Sequence, residues 1–400
     1  MKPDKKRKIL IVVENLSVPF DRRVWRECMA LVEAGYQVSV ISPKGLTGDK
    51  ASRETVQGVS IYRYRIYQSR GGFISYFCEY LTALIMSAWL AMVACLGRGF
   101  DVIQICNPPD LLILVAWPFK LLGKKILFDQ HDLSPEIYEM HSTTAKGSLA
   151  MRALLFFERL TYTCSDVVIV ANECYRKIAA ARGGRKKDVF VVRNAPTAES
   201  IRNARPNHAL KCGARYLLSY VGMMGPQDGI DILLRSLQLL MTEYQRDDFH
   251  VLIMGSGTVF AAMKKYANEL GLSQRITFTG SVDYDRVMEG IASADVCLCP
   301  DPKTPVNDKS SLVKVVEYMS LGRPFVAFDL EETRNTASDA ALYAKANDEK
   351  DFAEKINLLL DAPDVRESMG QIGRERIAKS LAWRHSKENL YAAYERAFAI

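Results

Sequence analysis

Short apolar runs alternate along the whole chain with longer segments whose apolar positions recur every three or four residues. The runs read as strands and the longer segments as helices crossing between them, which predicts parallel sheets and an α/β class. In the first half the predicted strands are residues 8–13, 37–42, 59–63, 102–105, 125–129, 167–170 and 189–192. In the second half they are residues 216–221, 250–254, 276–279, 296–299 and 325–328. Between the halves, Asn194-Ala-Pro-Thr and Asn203-Ala-Arg-Pro-Asn-His208 break both patterns, since Pro and Asn favour turns, and a linker is placed at residues 194–212.

Each half has strands enough for a doubly wound sheet, and 400 residues suffice for two buried cores. Ligands of such sheets bind beyond the carboxyl ends of the strands, so two sheets in series predict a shared site and direct attention to the loops after each strand. Residues 80–96 carry no charge and include Trp89, which places that segment just under the length of a membrane span. Predicted strands flank it closely, and a crossing would put strands of one sheet in different compartments. A buried or membrane-grazing helix is therefore expected there.

A composition of 48% hydrophobic and 25% charged residues excludes disorder and fibrous repeats. The net charge of +7 suits nucleic acid, anionic lipid or a phosphorylated ligand. Part of it lies in Lys2, Lys5, Lys6, Arg7 and Lys8, a run too polar to open a secretory signal; it reads as a solvated tail or a contact with acidic lipid. The nine Cys sit mostly in apolar runs, and the pair Cys297 and Cys299 has no partner pair at a metal-binding spacing. A reducing compartment and no metal site are expected.

Several loops after strands carry candidate chemistry. In Gln130-His131-Asp132-Leu133-Ser134-Pro135-Glu136, Ser134 and Pro135 read as a helix cap and first turn. His131 stands just past a strand end, where it either serves the fold or faces a ligand as donor or proton relay. After the first strand, Asp21 suits an N-cap, whereas Arg22, Arg23 and Arg26 oppose the dipole of the helix they open, a conflict that marks an anion site or a solvated face.

In the second half, Gly222-Met-Met-Gly225-Pro-Gln-Asp228-Gly229 follows a strand and precedes a helix, and its glycines let backbone amides approach a phosphate. The strongest local signal is Asn307-Asp308-Lys309-Ser310-Ser311-Leu312-Val313-Lys314-Val-Val-Glu317-Tyr318-Met319-Ser-Leu-Gly322-Arg-Pro324. Ser310 or Ser311 is expected to cap a helix whose first amides bind an anion, and Glu317 to accept from sugar hydroxyls or pair with Lys314. Asp283-Tyr284-Asp285 spells a metal-binding pattern but falls where a helix should begin, so capping explains it.

Together, the His after a first-half strand, the Gly-x-x-Gly loop and the Glu-Tyr-Met-x-Leu-Gly-x-Pro helix resemble family-4 retaining glycosyltransferases of the GT-B fold, over nearly the whole chain. The likeness is closest to a bacterial branch that builds surface polysaccharides, whose members similarly carry Val-Pro-x-Asp-x-Arg-Val-Trp, Asp-Gln-His-Asp-Leu-Ser-Pro and Met-Gly-Pro-Gln-Asp-Gly. The resemblance implies two Rossmann-like domains facing a central cleft. Residues 1–196 form the acceptor domain, onto which a last helix around residues 385–400 crosses back, and residues 197–384 form the nucleotide-sugar donor domain. It implies transfer from a nucleotide-diphosphate donor, a UDP-sugar, with retention of configuration and without metal or other cofactor. His131, with Asp132 beside it, is then the catalytic position and contacts the transferred sugar. Glu317 takes the ribose, while Gly222, Gly225 and the amides around Ser310, Ser311 and Leu312 take the diphosphate. Asp21, Arg22 and Arg23 fall on the acceptor side, where a polyprenyl-diphosphate-linked sugar or another saccharide is expected. The implied location is the cytoplasm, peripherally on the anionic inner face of the cell membrane, with no nucleic-acid partner.

The chain departs from that pattern at three places. Lys309 stands where Glu is usual, Met223 where the glycine loop usually has Arg, and Asp228 where Lys usually precedes Gly229. Lys309 reads either as the substitute cation beside the diphosphate, with Lys314, Arg22 and Arg323 as alternatives, or as a solvent-exposed loop lysine. Competing readings are a sugar-nucleotide epimerase of the same architecture, which has no use for a lipid ligand, and a silent nucleotide-sugar-binding subunit, which has none for His131 and Glu317.

Overall fold

The computed structural model describes residues 7–45, 51–65, 73–142, 145, 147–183 and 188–400; Lys2, Lys5 and Lys6 of the basic run lie outside the described residues. The chain divides into two compact units, residues 1–193 with 386–400, and residues 194–385.

The first unit opens with β1 (Lys8–Val12), α1 (Arg22–Glu33), β2 (Gln37–Pro43), β3 (Arg53–Val56), β4 (Val59–Tyr64) and α2 (Phe73–Leu96). It continues with β5 (Val102–Cys106), α3 (Ile113–Leu121), β6 (Lys125–Gln130), α4 (Ser134–His141), α5 (Leu149–Cys164), β7 (Val167–Val170), α6 (Glu173–Arg182) and β8 (Val189–Val191). The sheet runs β3-β4-β2-β1-β5-β6-β7-β8 and is parallel except where β3 meets β4. All seven strands predicted for this half form, and β3 is an addition. Its Arg-Glu-Thr-Val sequence alternates exposed and half-buried positions at the sheet edge, so it lacks the apolar run that marks the others. Strand order reverses at β1, which pairs with both β2 and β5, and ligands of open α/β sheets favour the crevice at such a reversal. Asp21 caps α1 as its type predicts, accepting from the backbone N–H of Arg23 and Val24 at 3.0 Å. In α4 the cap falls one residue earlier than expected: Leu133 is the cap and Ser134 already helical.

The second unit comprises α7 (Ala198–Asn203), β9 (Tyr216–Val221), α8 (Ile230–Thr242), β10 (Phe249–Met254), α9 (Phe260–Glu269), β11 (Ile276–Gly280) and α10 (Tyr284–Ser293). There follow β12 (Val296–Cys299), α11 (Val313–Ser320), β13 (Phe325–Phe328), α12 (Glu331–Ala337), β14 (Ala341–Ala344), α13 (Glu349–Asp361), α14 (Pro363–Arg376) and α15 (Trp383–Ala399), the last mostly in the first unit. The sheet, β11-β10-β9-β12-β13-β14, is parallel throughout. The five predicted strands form, and β14 is added. Two of its four residues are Ala, which carries little strand signal. Leu218, Val251, Val296 and Phe328 from four strands meet Leu233 and Leu237 of α8 and Phe352 of α13 in one buried cluster, which makes the sheet a rigid platform for its loops.

Candidate active site

In the first unit the loops after β5 and β6 are tied together by one side chain. Asn107 Oδ1 accepts from the backbone N–H of His131 at 2.7 Å and of Asp132 at 3.2 Å, while its Nδ2 donates to the Asp132 carbonyl at 2.8 Å. The His131 backbone is thereby fixed, and its ring is held by Asp129, the residue two places earlier on β6, whose Oδ2 lies 2.7 Å from Nε2. Burial disfavours the Asp129 carboxylate, yet Arg23 and His131 together hold its pKa well below the usual range. An ionised carboxylate only accepts, so Nε2 carries the proton and Nδ1 is the acceptor face of the neutral ring. Burial works against the imidazolium, but Asp129 outweighs it and raises the His131 pKa.

Arg23 corrects the expectation placed on it. Its guanidinium is buried, donating to Asp129 Oδ1 at 2.6 Å and to the Val192 carbonyl at 2.8 Å, with Glu27 3.4 Å away. It balances interior carboxylates rather than facing an acceptor, because α1 lies against the sheet with that side inward. Asp21 is buried as the cap of α1, and only Arg22 of the three is exposed. Cys106, Asp129 and His131 have donor atoms within 4.8 Å of one another, but the guanidinium on both Asp129 oxygens opposes a cation there.

Behind Asp129, Gln104 Nε2 donates to Glu27 Oε2 at 2.9 Å and reaches Asp129 Oδ2 at 3.4 Å, and Tyr394 of α15 donates to Gln104 Oε1. Burial, with Asp129 nearby, pushes the Glu27 carboxyl up to about 7. An acid raised on folding favours the folded state at low pH, and that contribution is lost as pH rises from the unfolded value through the folded one. Glu14 and Glu158, also raised to about 7 by burial, act in the same direction. Stability should therefore decline between about pH 5 and 7 on account of these groups, and Glu27→Gln should make that decline shallower. Urea unfolding across this range checks it; an unaltered slope would mean that Glu27 does not titrate as a buried acid.

In the second unit, Gly229 ends the glycine loop at φ +69°, and a Cβ there would stand 2.2 Å from the Pro300 carbonyl oxygen, so only glycine fits. The loop is fastened by Asp228, which accepts from the Gly225 N–H at 2.7 Å, and by Asn307, which donates to the Gln227 and Pro302 carbonyls at 3.1 and 3.0 Å. Beside it lies Lys314. Its Nζ meets both oxygens of Asp301 at 2.8 and 3.0 Å and the Tyr220 hydroxyl at 3.5 Å, and a Cβ on Gly222 would be only 3.3 Å away. Burial works against this ammonium, but Asp301 and Tyr220 raise its pKa well above the ordinary value, so it stays charged.

The start of α11 departs from expectation. Leu312, which has no polar side chain to cap with, is its cap residue, in place of the expected Ser310 or Ser311. Ser311 Oγ is buried and makes no hydrogen bond among the described residues. Helix amides without a side-chain cap, next to a glycine loop and a buried cation, suit an anion. Glu317 follows on the same helix and is buried, while Lys314 pairs with Asp301 instead of with it. Lys309 is also corrected: its ammonium pairs with Glu331 and lies 3.4 Å from Asp308, which itself accepts from the Glu331 N–H at 2.8 Å. The turn carrying Lys309 is thus bound to α12. Asp283 caps α10, accepting from the Arg286 N–H at 2.8 Å, as the position of Asp283-Tyr-Asp implied.

The architecture is similar to that of sucrose-phosphate synthase from Thermosynechococcus elongatus, with a TM-score of 0.79 and 18% identity over 98% of this chain and 100% of that one. It is also similar to the Anabaena protein HepE in complex with UDP, with a TM-score of 0.67 and 13% identity over 97% and 99% of the two chains. Two family models match the sequence, the glycosyl transferase 4-like domain over residues 21–195 and the glycosyl transferases group 1 domain over residues 215–362. The chain belongs to the GT-B glycosyltransferases. In sequence the chain is similar to the D-inositol 3-phosphate glycosyltransferase of Nocardia farcinica, 27% identical over 188 residues, which are 45% of this chain and 40% of that protein. The match thus spans about two fifths of that relative's length.

Four residues that hold the candidate loops, two in each unit, were not singled out from sequence: Asn107 and Asp129 in the first, Asp301 and Tyr220 in the second. Asp129 was within reach, because alternate residues at a strand end share a face and Asp129 stands two before His131. Asn107 and Asp301 each lie just past a strand end, where polar side chains reach the ligand side of the sheet. Tyr220 carried no signal, since an aromatic in an apolar strand reads as core.

Proposed function

We propose that this glycosyltransferase moves a sugar from a nucleoside-diphosphate donor, a UDP-sugar, to a lipid-linked or saccharide acceptor with retention of configuration, in the synthesis of a bacterial polysaccharide. The observation that carries the reading is the convergence, in the second unit, of the glycine loop, charged Lys314 and the start of α11. Transfer breaks the bond between the anomeric carbon and the outer phosphate oxygen, whose electron pair leaves with the nucleoside diphosphate. The acceptor oxygen forms the new bond, and its proton passes to the departing phosphate oxygen. In this reading the α11 amides and Lys314 offset the departing charge without a metal, Glu317 accepts from ribose hydroxyls, and His131 Nδ1, with Asp132 alongside, addresses the sugar. UDP in the HepE structure supports the choice of base. The net charge of +7 supports a peripheral place on the anionic inner face of the cytoplasmic membrane, where a polyprenyl-diphosphate acceptor would lie.

Thermal shift with UDP, GDP, ADP and their sugars tests the donor. The right ligand at a hundred times its dissociation constant stabilises by roughly 2.7 kcal/mol. No shift with any of them would remove the donor site, and conversion of the donor to its epimer without acceptor would make the chain an epimerase.

A further inference from the structure

The helix α2 is built inside out. Ala83, Ser87, Ala91 and Ala94 are buried, whereas Leu81, Ile85, Trp89, Met92 and Leu96 are exposed. The spacings keep each set within about 80° of arc, on opposite sides of the helix. A helix on a water-soluble surface buries its large apolar residues and turns polar ones outward. Here Ile85 and Trp89 are each 60% exposed and Leu96 84%. α3 packs beside α2 and α5 beside α3, and each adds an exposed aromatic, Trp117 and Phe156. Single exposed apolar residues are ordinary, but such residues on three neighbouring helices mark a contact surface.

Charge identifies what covers it. Among the described residues of these helices and the turn after α2, the exposed charged side chains are Arg98, Arg152 and Arg159, all cationic. We propose that the outer face of α2, α3 and α5 seats the first unit on an anionic lipid leaflet, with Ile85, Trp89 and Trp117 at the acyl boundary and the arginines at headgroup phosphates. The inference rests on the membrane placement above and names the surface that provides it. Tryptophan favours that boundary, its ring apolar and its N–H wet. A second copy would set the same arginines against each other across a two-fold axis. The small-residue side of α2 packs on β2 and β4, so the helix lies on the leaflet and does not cross it.

The test uses the full chain and vesicles of phosphatidylcholine with or without phosphatidylglycerol. Ile85→Ser with Trp89→Ser should weaken binding to anionic vesicles at least about tenfold, because the lost apolar contacts are made only on lipid. Arg152→Ser with Arg159→Ser should remove most of the preference for anionic lipid and its salt sensitivity. Bromine-labelled lipid should quench the wild-type tryptophan fluorescence, a readout that needs no substitution. Unchanged vesicle binding in both double variants, or an absence of quenching, overturns the proposal. So does a wild-type dimer that dissociates on substituting Ile85 and Trp89, since the face would then join two copies. Vesicle binding through this face without any sugar transfer would leave the surface standing and defeat the proposed activity. Donor binding with no vesicle binding would do the reverse.

Discussion

Replacing His131 by alanine is expected to lower turnover by about a hundredfold or more while donor affinity changes little. The range reflects what a positioned proton-transfer or hydrogen-bonding group contributes at a reacting centre. The ring is held at both ends of its motif, its backbone by Asn107 and its Nε2 by Asp129, so the geometry is set before any sugar arrives. Asp129→Asn should lower the His131 pKa, because the carboxylate that raises it is gone, and the pH profile of turnover should shift with it. NMR titration of the labelled ring reads this without substrate. Asp129→Asn also leaves Arg23 buried without its main counter-charge, at a cost of about 3–5 kcal/mol, so it is best combined with Arg23→Met. Normal turnover in His131→Ala would remove His131 from the chemistry, and an unmoved ring titration would reduce Asp129 to a packing role.

The second large effect is expected at Lys314. Lys314→Ala strands Asp301 in the interior and should destabilise the second unit by about 3–5 kcal/mol. Lys314→Met together with Asp301→Leu removes both charges at similar volume and should restore much of that stability, as paired apolar replacements do. In the restored protein, UDP should bind at least about tenfold more weakly if Lys314 supplies the field that Met223 and Asp228 do not. Unweakened UDP binding would make the pair purely structural. Lys309→Ala, by contrast, removes a partly exposed pairing with Glu331 and should cost at most about 1 kcal/mol.

What the sequence determined by itself was whatever depends on near neighbours. Strand runs, helix periods, and caps with a strong side-chain preference such as Asp21 and Asp283 are local, and each was legible. The stretch at residues 194–212 was expected to be a linker, but its middle forms α7, capped by Thr197, because the turn formers stand only at its two ends. The capping serines failed where the turn before the helix was decided elsewhere. Asn307 fastens the turn before α11 to the glycine loop, and the cap position then falls on Leu312 rather than on a serine. What only the tertiary structure decided was which charge meets which. Arg23 and Asp129 are 106 positions apart, and Lys309 and Glu331 are 22 apart. A cation's type says it seeks an anion, but the way α1 lies on its sheet decides that Arg23 balances an interior carboxylate. The same holds for α2, whose even apolarity hid its facing. Composition showed a helix apolar all round, and only the sheet beneath it decided that the small side chains lie inside and the large ones outside.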